Sequence, residues 1–120
     1  MPELPEVETI VCGLKREIEG KKILNVIVRD ESLIEYPECD LFVKRLKKSL
    51  IKGIKRRGKY IIINIEDKYE LIIHLRMTGK LLLKEHDQKY SKHTHIIFEL
   101  DNDTDLRFNV IRKFARAYLI

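Results

Sequence analysis

The residues best suited to covalent chemistry are the first six, Met1-Pro2-Glu3-Leu4-Pro5-Glu6. Methionine ahead of a small residue such as proline is commonly removed after synthesis, which would leave Pro2 with a free secondary amine. That amine is able to condense directly to a charged iminium. An α-amino group has a pKa of about 7.7–8.0, so about a seventh of it is neutral and nucleophilic at pH 7. A neighbouring cation raises that fraction and a neighbouring carboxylate lowers it. Glu3 adjoins the amine and Glu6 lies three residues on, so two carboxylates and an amine form an acid/base set. The competing reading is structural: Pro2 and Pro5 stiffen the chain while Glu3 and Glu6 favour a helix start. If Met1 is retained, Pro2 is an amide and no nucleophile is available.

Three further segments carry residues with two readings each. In Arg56-Arg57-Gly58-Lys59-Tyr60, ahead of an apolar run, Lys59 is by pattern one more basic residue at a strand start. In His74-Leu75-Arg76-Met77-Thr78-Gly79, His74 alternates with Ile73 and Leu75 and so reads as a polar-face residue. Met77, in a tight turn before Gly79, is too exposed by pattern to be core. Phe114, in Arg112-Lys113-Phe114, reads by periodicity as core packing. His93 and His95 would share a strand face, but no carboxylate or thiol completes a metal set with them or with His86 at a sensible spacing. No metal site is expected in this chain. Cys12 and Cys39 read as free thiols in a reducing compartment, and two cysteines cannot make a cysteine-only zinc site.

The start Pro2-Glu3-Leu4-Pro5-Glu6-Val7-Glu8-Thr9, followed by a helix, resembles the N-terminus of the formamidopyrimidine-DNA glycosylases, which remove oxidised purines such as 8-oxoguanine. The other three segments match that family in the same order, and the four together span nearly the whole chain. The resemblance implies base-excision DNA repair by a bifunctional glycosylase and AP lyase. Pro2 would be the nucleophile on the sugar C1′, Glu3 the acid/base that assists ring opening, and Glu6 a supporting carboxylate. Lys59 would be a cation near the lesion that contacts phosphate and depresses the amine pKa. His74 would touch phosphate, Met77 would fill the gap left by an everted base, and Phe114 would be a stacking wedge. Arg112 would reach the orphaned base. Duplex DNA carrying oxidised bases is the implied partner, and a monomer in the bacterial cytoplasm, associated with the nucleoid, the implied state. No cofactor is expected in this chain. The family's helix–two-turn–helix module and zinc finger, with one structural zinc, lie C-terminal to these residues. Alternatives from the sequence are the sister family acting on oxidised pyrimidines and an inactive fragment or nucleic-acid-binding module. Two positions depart from the family pattern: Val110 stands where an Asp is usual and Ala115 where a Gly is usual.

These residues need a scaffold, and the patterning supplies one. Val7, Ile10, Val11, Leu14 and Ile18 form one apolar helical stripe, with Pro5 in the first turn and Gly20 ending the run. Phe42, Val43, Leu46 and Leu50 suggest a second helix over about residues 40–50, after an aperiodic loop from Asp30 to Glu38. Strands are expected at Ile23–Arg29, Ile51–Arg57, Lys59–Ile65, Glu70–Leu75, Lys80–Lys84, Thr94–Leu100, Asp105–Phe108 and Arg116–Ile120. Glu66-Asp67-Lys68 and Asp101-Asn102-Asp103 read as hairpin turns. The expected class is α+β, mainly β: an antiparallel β-sandwich or flattened barrel with two flanking helices. A length of 120 residues with 44% hydrophobic and 36% charged residues fits one domain, 1–120, and excludes a disordered tail or a collagen-like fibre. No apolar run approaches the ~20 residues of a membrane span, and the acidic start is unlike an export signal. The +5 net charge points modestly to nucleic acid. The last residues are still apolar and strand-like, as in a chain cut from something longer.

Overall fold

The computed structural model describes residues 4–76, 78–111 and 115–120. Helix α1, Leu4–Ile18, carries Glu6 in its first turn and Lys15 and Arg16 in its last, the arrangement favoured by the helix dipole. Its buried stripe is Val7, Val11, Leu14 and Ile18, with Ile10 packed at the margin. Gly20, at φ +81°, then lets the chain reverse into strand β1, Lys22–Val28. A 3-10 turn at Glu31–Leu33, capped by the Asp30 carboxylate on the Ser32 amide (3.0 Å), leads to β2, Ile34–Tyr36. Helix α2 runs Cys39–Leu46 and buries Phe42 and Leu46.

The remaining strands are β3 (Ser49–Arg57), β4 (Tyr60–Ile65), β5 (Tyr69–His74), β6 (Gly79–Glu85), β7 (Thr94–Leu100), β8 (Thr104–Val110) and β9 (Arg116–Leu119). They form one sheet in the order β2-β9-β5-β4-β3-β1-β7-β8-β6, antiparallel throughout except for the parallel β2–β9 pair. β1 and β3 meet at only two registered positions, Lys22↔Leu50 and Ile23↔Ser49. That narrow junction separates a β2-β9-β5-β4-β3 half from a β1-β7-β8-β6 half. Residues from both halves, among them Ile61, Ile63, Leu71, Phe98, Leu106 and Phe108, belong to one buried cluster. The sheet is open, with β2 and β6 at its two edges.

Mainly β with two helices is therefore the observed class, and all the expected strands form within a residue or two. Two expectations change. The segment 30–38 is not a featureless loop: β2 is held by pairing with β9, more than eighty residues away in sequence, and Leu33 is fully buried. A three-residue strand with a remote partner leaves no periodicity to read. The second helix also stops at Leu46, because Ser49 and Leu50 are taken by pairing with β1. Among the described residues, no helix is long and apolar enough to cross a membrane.

Candidate functional site

Strand register gathers the sequence-flagged segments at one end of the sheet. Arg57↔Tyr60 closes the β3–β4 hairpin, Tyr60 faces His74, and His74 faces Arg116 at the start of β9. In the other half, Gly79 faces Val110 and Thr94 faces Asn109. The β3–β4 turn, the β5–β6 turn and the β8–β9 connection therefore share one edge. The two-residue turn Gly58-Lys59 works because Gly58 adopts φ +59°, a conformation glycine enters without a Cβ penalty. Lys59 is exposed at its tip.

Helix α1 is fastened to the same edge. Arg56 donates from Nε to the Glu8 carboxylate at 2.6 Å and from Nη1 to the Gly58 carbonyl at 3.1 Å. One guanidinium thus ties the helix to the turn that carries Lys59. Glu6 lies on the wall of a cavity of about 340 Å³, lined also by Ile10, Thr78, Gly79 and the start of β6 to Leu82. A concave site of that size, largely apolar with Glu6 and Lys80 as its charged groups, suits a flat heterocycle with polar edges. The turn that forms its other wall is tight: Gly79 N–H donates to the Leu75 carbonyl at 2.9 Å. A Cβ on Gly79 would run into that carbonyl and lie 2.9 Å from Leu75 Cα.

His74 is placed differently from its pattern reading. It is buried, 7% exposed, with its ring stacked on Tyr60 at 4.6 Å between centroids. Its Nδ1 is buried without a hydrogen-bond partner among the described residues. Burial chiefly, and then the charges of Arg76 and Lys59, hold its pKa below the usual histidine value. Alternation around His74 suggested an exposed polar face. β9 pairing with β5 on one side and Tyr60 on the other cover it instead. Tyr60 and Arg76 are site residues that sequence reasoning did not single out. Arg76 adopts φ +57° at the head of the β5–β6 turn and has a buried Nε. Neither has a sequence signal beyond its motif neighbours.

Pro2, Glu3, Met77, Arg112 and Phe114 lie outside the described residues. Their neighbours are placed: Ile111 is 59% exposed at the shared edge, an apolar side chain offered to solvent beside the 112–114 segment. Val110 and Ala115, the two departures, are both buried in the core. Val110 also accepts from or donates to both flanking histidines, its N–H to the His93 carbonyl (2.9 Å) and its carbonyl to His95 Nε2 (3.0 Å).

The fold supplies carboxylates to His86, which spacing could not reveal. Its Nδ1 lies 3.0 Å from Asp105 Oδ1 and 3.3 Å from Glu99 Oε2, and the three groups lie within 4.8 Å of one another. The hydrogen bond to Asp105, and then its charge, hold His86 above the usual histidine value. Arg107 occupies the other Asp105 oxygen at 2.8 Å, so the cluster is balanced as an ion-pair network. Cys12 and Cys39 are both free, and burial raises the Cys39 thiol pKa. These two thiols on separate helices do not make the donor set of a structural zinc.

Residues 1–117 match the family described as formamidopyrimidine-DNA glycosylase N-terminal domain. A formamidopyrimidine-DNA glycosylase of Pediococcus pentosaceus is 44% identical over 120 residues, all of this chain and 43% of that protein. The Lactococcus lactis Fpg in complex with a Fapy-dG-containing DNA superimposes with a TM-score of 0.94 at 38% identity, over 98% of this chain and 44% of that one. The same enzyme in complex with an abasic-site-containing DNA gives 0.95 at 38% identity, over 99% and 44%. The chain therefore spans about two-fifths of the length of the relatives it matches.

Proposed function

The chain belongs to the formamidopyrimidine-DNA glycosylase N-terminal domain family, and from that premise we propose that it is the catalytic half of a DNA base-excision enzyme that removes oxidised purines and cuts the strand. The observation that carries this reading is one cavity between the start of α1 and the β5–β6 turn, with Glu6 on its wall, at the end of the sheet where Arg56 ties α1 to the turn that carries Lys59. An everted base would enter that cavity, and the Pro2 amine would attack C1′ as the glycosidic bond breaks and the base leaves. Glu3 would supply the proton exchange that opens the sugar ring. The resulting iminium makes the C2′ proton acidic; its loss expels the 3′ phosphate, and a second elimination expels the 5′ phosphate. The iminium is its own electron sink, so the scheme needs no redox cofactor.

The bound relatives of known structure support duplex DNA with a damaged or missing base as the partner. Lys59 and the exposed Ile111 face the same edge, one for phosphate and one for the base stack. The part of the relatives beyond this chain's length would grip the duplex from the other side. Borohydride reduction in the presence of abasic DNA tests the chemistry, because it converts an iminium into a stable amine link. Protein lacking Met1 should be trapped on the DNA, Pro2→Gly should be trapped less, and a blocked N-terminus not at all. Efficient trapping of protein that keeps Met1 would overturn the assignment of Pro2.

A further inference from the structure

At the end of the sheet opposite the reactive edge, the close of α2 and the β4–β5 hairpin enclose a second cavity of about 430 Å³. Four of its cations come from the end of α2 and the residues after it: Lys44, Arg45, Lys47 and Lys48. A fifth, Lys68, comes from the β4–β5 turn across the opening. The one carboxylate in the wall, Glu66, is already engaged, accepting from the Leu50 amide at 2.9 Å. Among the described residues, five cations outside this cavity have carboxylate partners: Lys15 with Glu19, Lys52 with Asp67, Arg56 with Glu8, Arg107 with Asp105 and Arg116 with Glu35. None of the five in this cavity forms an ion pair with a described residue.

The C-terminal dipole of α2 accounts for Lys44 and Arg45, which sit in its last turn. It does not account for Lys68, on a different element, or for Lys48. Lys48 takes φ +67°, a left-handed conformation that a glycine would adopt with less strain. Two of the cations are also held in place: Arg45 lies 5.5 Å and Lys68 5.4 Å from the Tyr69 ring centroid. Convergent like charges repel, solvent and salt screen that repulsion in part, and a bound polyanion offsets it further.

We propose that this cavity binds phosphodiester backbone from a second nucleic-acid segment, while the reactive edge holds the first. A phosphodiester chain fits because it offers a row of charges to cations set on two elements, with affinity that needs no base contacts. The proposal rests on the reading that the reactive edge binds duplex DNA, but not on the chemistry assigned to Pro2. Occupied together, the two ends would let the protein pass from one duplex to another without release.

The test uses the whole protein with its reactive edge saturated by a duplex bearing an uncleavable abasic analogue. A labelled undamaged duplex is then titrated and followed by anisotropy across a salt series. The expected result is a second duplex bound per protein. In Lys44→Gln/Lys47→Gln/Lys68→Gln, with an unchanged circular dichroism spectrum, that binding should weaken at least tenfold. Its log–log salt slope should fall by about 2 to 3. Borohydride trapping at saturating abasic DNA should be the same in both proteins, which separates failure here from failure of the proposed function. A stoichiometry of one, or equal affinity and slope in the triple variant, would overturn the inference. Saturable binding of inorganic tripolyphosphate with no second duplex would overturn it as well, assigning the cavity to free phosphates.

Discussion

Lys59 directly precedes Tyr60, the residue that pairs with His74 at the reactive edge, yet the physics of Lys59 and His74 differs. Lys59 is exposed and charged, so each contact it makes with phosphate releases counterion. His74 is buried and kept neutral at pH 7 by burial and by its cationic neighbours, so a phosphate contact through its ring would release none. Lys59→Ala should therefore weaken binding to all duplexes and reduce the salt slope by about 0.9, whereas His74→Gln should leave the slope unchanged. The same burial has a stability consequence. A histidine whose folded pKa lies below its unfolded value, about 6.5, contributes fully above that value and loses the contribution as pH falls through the lower one. Urea titrations from pH 7.5 to 5 should show the protein weakening with acid, and His74→Phe, which keeps a ring over Tyr60, should weaken less. Because His86, with its raised pKa, acts in the opposite direction in both proteins, the comparison decides: equal acid dependence in the parent and in His74→Phe would contradict the neutral, buried assignment.

At the scale of elements, the β5–β6 turn shows how narrowly the cavity is built. The Gly79 Cα hydrogen points at the Leu75 backbone with no room for a methyl group. Gly79→Ala should cost about 1–3 kcal/mol, read as a lower urea midpoint with an unchanged slope. Elements of this kind were legible because turn residues and alternation are local: Glu66-Asp67-Lys68 and Asp101-Asn102-Asp103 both mark hairpins that form. What was illegible depends on contacts made across the chain. β2 exists only because β9 offers it an edge, and α2 yields Ser49 and Leu50 because β1 competes for them. For the site, the motifs located Glu6, Lys59 and His74 on the shared edge. Alternation misjudged the burial of His74, since it reports a face and not what later covers it.

Across the whole molecule, one buried guanidinium holds the long β6–β7 connection against the sheet. Arg107 is 2% exposed, and it pairs with Asp105 through Nε at 3.1 Å and Nη2 at 2.8 Å. It also donates to the carbonyls of Glu85, His86, Gln88 and Lys89, and lies over the Tyr90 ring, as Arg29 does. Arg107→Leu would leave Asp105 with His86 as its remaining partner and strand several carbonyls, at a cost of about 3–5 kcal/mol, whereas Arg107→Lys should recover part of it. Amide exchange should report the loss first over residues 86–93, and equal protection there in Arg107→Leu would refute the anchoring role. The strand order carries a consequence for the timing of assembly. Glu6 belongs to the first turn of α1, but the row Tyr60–His74–Arg116 closes only when β9 joins β5. On the ribosome, the Glu6 cavity needs the chain only as far as Leu82, whereas the row beside it waits until nearly all of these residues have been made.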